Sequence, residues 1–147
     1  LAVWEPSTAA RTDTDAGAEV STKAHVLTPH AREFLALVNR LGIDAADPAE
    51  DPVSAARDLA AAVGAVVLLK GSATVVAAPS GVTFLAASAA ATLARAGSGD
   101  KLAGVLGAML ATHAARASAR GEELSPERIA HLCAAAAVVH GMKHSAA

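Results

Sequence analysis

The segment Ala96-Gly97-Ser98-Gly99-Asp100-Lys101 sets two glycines around a serine, then a carboxylate, at the mouth of a long apolar run. A glycine turn entering a helix leaves several backbone N–H groups unpaired and pointing one way. The helix dipole adds partial positive charge there. Such a turn suits phosphate, or the charge that develops during phosphoryl transfer. Gly97, Ser98 and Gly99 are therefore candidates for an anion hole. Asp100 beside them repels a resting phosphate. It makes chemical sense as a base that takes a proton from a hydroxyl attacking the phosphoryl group. The competing reading is structural: Ser98 or Asp100 caps an ordinary helix after a tight turn. The spacing is neither GxxxxGK[ST] nor GxGxxG, so it is not a Walker loop or a dinucleotide fingerprint.

Other candidates stand further back in the chain. Lys70 ends an apolar run and precedes Gly71. At the C-terminal end of an α/β strand it could reach a ligand, although a lone lysine there is more often solvated. His30 follows Pro29 and could sit on the same rim. His140 and His144 are spaced i,i+4 on a helix, but metal binding is the minority reading without an HExxH context. His113 and His131 read as helix-surface residues. Cys133, the only cysteine, reads as core.

These residues need elements to position them. "AHVLTPH" predicts a short strand ended by Thr28-Pro29, because proline cannot continue a ladder. "AREFLALVNRLG" predicts a helix stopped by Gly42. A second helix is expected from "DPVSAARDLAAAVG", with Asp51 as N-cap, Pro52 in the first turn and Gly64 as stop. "AVVLLKG" is a continuous apolar run of the kind buried on both sheet faces. "ATVVAAPSGVTFLAA" predicts a hairpin turning at Pro79-Ser80-Gly81. A helix is expected from Lys101 to about Ala117, and a last one capped by Ser125 with Pro126 in its first turn. Buried strands alternating with helices imply a layered α/β sheet. Residues 1–22 are polar and aperiodic, and are expected to be irregular, with residues 23–147 forming the domain.

The totals exclude several classes. The chain has 147 residues, 53% hydrophobic, 18% charged and 2% aromatic, with formal net charge −2. That is not the composition of a disordered chain. It also lacks the basic stripe and the aromatic platforms of a nucleic-acid binder. One cysteine allows no intrachain disulfide, which fits a reducing, cytoplasmic setting. The first residues show no basic run followed by an apolar core, so no signal peptide is expected. Gly71 to Ala94 carries no charge. It is interrupted by "PSG", and two strands around a turn are expected there, followed by a short approach to the glycines, not a membrane span.

Taken together, "VLTPHAREFLAL", "VVLLKGSATVVAAPSG" and "ARAGSGDKLAGVLGAMLA" resemble segments of the ADP/ATP-dependent NAD(P)H-hydrate dehydratases, in the same order and at similar spacing. "AAAAVVHGMKHSAA" is similar to a late helix of that family more loosely. The resemblance covers about residues 24 to 144. It implies a ribokinase-like α/β/α fold, of which this chain holds the C-terminal portion. It implies repair of hydrated NADH and NADPH. The C6 hydroxyl of the hydrated ring is phosphorylated from ADP or ATP, with Mg²⁺ expected, and elimination of phosphate restores the dihydronicotinamide. His30 matches a substrate-contacting histidine. Lys70, Gly71, Ser72, Ala73, Thr74 and Gly99 match nucleotide contacts, and Asp100 matches the substrate-contacting catalytic base. No metal-ligating residue of the chain is implied.

The partners so implied are NAD(P)H-hydrate and an adenine nucleotide, with neither nucleic acid nor membrane. Room is left for a homo-oligomer and for a fused or separate NAD(P)H-hydrate epimerase. Ala31 and Arg32 replace the family's Pro and Gly in the loop after His30, and Lys101 replaces a usual apolar residue. The family domain is about twice this length, so an active site built from both halves is expected to be incomplete here. The alternatives are a ribokinase-like small-molecule kinase, of hydroxymethylpyrimidine or sugar type, or a non-catalytic nucleotide-binding fragment.

Overall fold

Local sequence dictates most of the elements in the computed structural model, which describes residues 25–87 and 97–145. The expectations for residues 1–22 and for the approach to the glycines lie outside the described residues. Strand β1 is Val26–Leu27, stopped by Pro29 as the sequence requires. Helix α1 runs Ala31–Leu41 and ends on Gly42, whose φ of 64° is the left-handed conformation that releases a helix. Helix α2 runs Pro52–Val63. Asp51 caps it by accepting from the Ser54 N–H, and Pro52 opens its first turn.

Strand β2, Val66–Leu69, is buried at every position. The expected hairpin follows as β3, Ala73–Ala77, and β4, Thr83–Ala87, with Gly81 in the turn at φ 90°. Helix α3 spans Ser98–Ser118 and α4 spans Pro126–Ser145. As expected, Ser125 caps α4, its Oγ accepting from the Arg128 N–H at 3.3 Å.

The described strands form one sheet in the order β1-β2-β3-β4. β1 pairs with β2 in parallel, Val26 opposite Val66 and Leu27 opposite Val67. The other two pairings are antiparallel. Alternation along β2 divides the core. Val67 and Leu69 pack with Phe34, Val38, Ala55, Ala56, Leu59 and Ala60 of α1 and α2. Val66 and Leu68 pack on the other face with Leu102, Leu106, Ile129, Ala130 and Cys133 of α3 and α4. The result is the α/β/α layering read from the sequence. With so few aromatic side chains, alanines make close layers: Ala130 and Ala136 of α4 are completely buried beneath the sheet.

Cys133 is core, as expected, and burial pushes its thiol up to about 12. Among the described residues no helix is long and apolar enough to cross a membrane.

Helix α3 departs from expectation at its start. It begins at Ser98, not Lys101. Neither Ser98 nor Asp100 is the cap. The N-cap is Gly97, at φ 80°, and no side chain caps the turn. The physical reason is that Asp100 already lies inside the first turn, while the Ser98 hydroxyl is engaged elsewhere.

Candidate phosphate-facing site at the strand ends

The parallel pair β1 and β2 brings its C-terminal ends to one rim. The Lys70 N–H donates to the Pro29 carbonyl at 2.8 Å, and His30 and Lys70 form a parallel bridge. Two residues far apart in sequence thus become neighbours where ligands of open α/β sheets collect.

His30 is the N-cap of α1 in a reciprocal capping box. Its Nδ1 accepts from the Glu33 N–H at 3.2 Å, and Glu33 Oε2 accepts from the His30 N–H at 2.8 Å. Ala31 and Arg32, the departures from the family pattern, are simply the first residues of α1.

Glu33 also reaches across to the sheet. Its Oε2 lies 3.5 Å from Lys70 Nζ, and its Oε1 lies 3.4 Å from His30 Nε2. The bond from the His30 backbone N–H, then the Lys70 ammonium, hold the Glu33 carboxyl below its ordinary range. Sequence reasoning did not assign Glu33 to the site. Its signal was the spacing of three from a cap residue to a glutamate, which histidine in the cap position disguised.

Lys70 continues the alternation of Val66 and Leu68, so it leaves β2 toward the α3–α4 layer. There it meets the start of α3. A Cβ added to Gly99 would stand 3.6 Å from Lys70 Nζ. The ammonium therefore lies beside the first turn of α3. The amides of Ser98, Gly99 and Asp100 precede the first helical bond, from the Lys101 N–H to the Gly97 carbonyl at 3.2 Å. An ammonium and a glycine-opened helix N-terminus thus stand side by side, a combination suited to an anion.

The hydroxyl of Ser98 lies 3.0 Å from Nε2 of His140 on α4. His140 is only 6% exposed. Nothing in local spacing pairs these residues, and sequence reasoning missed the contact. The side chain of His144 lies outside the described residues, and with it the i,i+4 metal reading.

The remaining candidates are placed less centrally. Asp100 is exposed and bonds to no described residue, and Lys101 makes no ion pair with it. Gly71 and Ser72 are exposed immediately beyond Lys70, and Ala73 opens β3. Thr74 is buried, 7% exposed, in β3 opposite Ala86. His113, read as a surface residue, is half-buried and bonds the Met109 carbonyl of its own helix. His131 is exposed as expected and stacks at a tilt on Phe84.

Similarity to known proteins extends over most of the chain. The sequence pattern of the family described as NAD(P)H-hydrate dehydratase matches residues 8–146. A bifunctional NAD(P)H-hydrate repair enzyme, Nnr, of Mycobacterium tuberculosis is 49% identical over 87 residues, covering 59% of this chain and 17% of that protein. An ADP-dependent (S)-NAD(P)H-hydrate dehydratase of Neisseria meningitidis serogroup B is 43% identical over 86 residues, 58% of this chain and 28% of that one. Among solved structures, YxkO of Bacillus subtilis superposes with a TM-score of 0.59 at 27% identity, covering 90% of this chain and 41% of YxkO. The ADP/ATP-dependent NAD(P)H-hydrate dehydratase of Bacillus subtilis, co-crystallized with ATP/Mg²⁺, gives 0.58 at 29% identity over 80% and 36%. The chain therefore spans less than half the length of these relatives.

Proposed function

The chain belongs to the NAD(P)H-hydrate dehydratase family, and from that premise we propose that it supplies the phosphoryl-donor side of an ADP- or ATP-dependent (S)-NAD(P)H-hydrate dehydratase. The observation that carries this reading is the meeting of Lys70 with the glycine-opened first turn of α3. The amides of Ser98, Gly99 and Asp100, with Lys70 Nζ, face the phosphates of the donor. Gly71 and Ser72 give backbone access beside them, and Ala73 and Thr74 continue the same stretch. His30 and Asp100 face the hydrated nicotinamide.

Asp100 takes the proton of the C6 hydroxyl as its oxygen attacks the terminal phosphoryl group. The bond from that phosphorus to the bridging oxygen breaks and the shortened nucleotide leaves. Loss of the C5 proton and departure of phosphate from C6 then restore the ring double bond. Net removal of water is thus driven by cleavage of the nucleotide. Glu33 neutralises Lys70 at rest and holds it on the rim.

Among the described residues no three His, Cys, Asp or Glu side chains stand together to hold a metal ion. Mg²⁺ fits this reading as a companion of the nucleotide phosphates, where it neutralises charge. A fused or separate NAD(P)H-hydrate epimerase is the expected partner, since several relatives are bifunctional repair enzymes.

The test is an exchange of the matched segment of the Neisseria meningitidis dehydratase for that of this chain. The chimera should regenerate NADH from its hydrate with ADP or ATP. Asp100→Asn in it should lower the rate by about two to four powers of ten, the range for a general base. A phosphorylated product that persists would instead place the chain among small-molecule kinases.

A further inference from the structure

His140 is a polar ring placed almost wholly out of water, and burying such a group is costly unless it is hydrogen-bonded. Its Nε2 meets the Ser98 hydroxyl at 3.0 Å, across 42 residues of chain. Ser98 stands between two glycines, at the first position of α3, where the N-cap Gly97 brings no side-chain cap of its own. A Gly-Ser-Gly turn has much conformational freedom to lose. The Ser98 side chain ties this one to the buried core of α4.

We propose that His140 is a positioning residue: through Ser98 it holds the first turn of α3 in place. It thereby fixes the direction of the Ser98–Asp100 amides and the origin of the Asp100 side chain. The hydroxyl can donate to or accept from the ring, so either tautomer serves. A consequence for nucleotide affinity rests on the reading of this turn as phosphate-facing.

The 147-residue chain is compared with its Ser98→Ala, His140→Ala, double and His140→Gln variants. Hydrogen exchange is followed at the Lys101 and Leu102 amides, with Val67 and Leu68 of β2 as the control for global stability. Each alanine variant should speed exchange at Lys101 and Leu102 by roughly three- to tenfold, the range for loss of one hydrogen bond. β2 should be unmoved in Ser98→Ala. The double variant should be no faster than either single one, and His140→Gln should recover part of the protection. Should His140→Ala fail to fold, Ser98→Ala and His140→Gln carry the comparison.

Unchanged exchange at Lys101 and Leu102 in Ser98→Ala, or single effects that multiply in the double variant, would overturn the proposal. ADP titration of the same proteins should rank them in the same order. If the wild-type chain bound no ADP while the exchange pattern held, the positioning role would stand and the phosphate reading would fall.

Discussion

Gly99 lies beside the Lys70 ammonium. A Cβ there would meet Lys70 Nζ at 3.6 Å, an ordinary contact that the fold tolerates but that fills the approach to the ammonium. Glycine also costs up to ~1 kcal/mol against alanine within a helix. Gly99→Ala should therefore leave thermal stability unchanged or raised, while weakening ADP binding by about tenfold. Lower stability with unchanged affinity, read by calorimetry on one sample, would make Gly99 a packing residue.

Glu33 gives a second prediction at this scale. Its carboxyl is lowered by the His30 N–H and then by Lys70, so folding favours the ionised form. That stabilisation is fully present above the ordinary glutamate range, near about pH 4.3. It is lost as pH falls through the lowered folded value. With the side chain 54% exposed, solvent screening keeps its size well under about 1 kcal/mol. Urea midpoints between neutrality and the acid range should fall less steeply in Glu33→Gln than in the wild type. Equal slopes would mean that the carboxylate holds nothing.

Among the elements, α3 depends most on how it is entered. Gly97 at φ 80° turns the chain into Ser98, and a side chain at that angle is strained by about 1–2 kcal/mol. Gly97→Ala should lose stability by about that amount and weaken ADP binding as well. Gly64→Ala, at the left-handed end of α2 and away from the site, should lose similar stability with ADP affinity intact. If both variants changed affinity alike, α3 entry geometry would have no special role.

Elements with local causes were legible in the sequence. Gly42, Gly64, Asp51-Pro52 and Pro79-Ser80-Gly81 punctuate the chain where the structure turns, and the unbroken "AVVLL" run is the strand buried on both faces. The start of α3 was not legible, because helix propensity does not distinguish glycine as first-turn residue from glycine as loop. The pairs Glu33–Lys70 and Ser98–His140 were hidden for a different reason. They exist only after β1 and β2 align and α4 packs under the sheet. The glycine turn and Asp100 stood out as candidates on their chemistry, whereas His30 and the stretch from Lys70 to Thr74 became candidate contacts through the family resemblance; that Glu33 meets Lys70 and His140 meets Ser98 was legible by neither route.

For the whole molecule, the described sheet ends at a two-residue strand, Val26–Leu27, on one side and at β4 on the other. Edges of this kind are templates for further pairing. Leu85 of β4 is 63% exposed. The relatives are several times longer than the shared segment, and misplacing hydroxyl and phosphorus by about an ångström can slow phosphoryl transfer on the order of a hundredfold. The chain alone should therefore turn over no hydrated NADH and should self-associate, which sedimentation and a coupled NADH assay would show. A monomer with ordinary enzyme rates would mean that this portion carries a complete site.

On the proposed reading, Lys70 and the first turn of α3 hold the phosphate of the donor nucleotide even in this chain alone. The direct measurement is calorimetric titration of the 147-residue chain with ADP, alongside Lys70→Ala and Asp100→Asn. Saturable binding by the wild type is expected, with affinity lowered about tenfold or more in Lys70→Ala and within a few fold of wild type in Asp100→Asn, since on the proposed reading amides and ammonium hold the phosphate while the carboxylate moves a proton. A folded chain that binds no ADP, or that binds it equally well without Lys70, would contradict it.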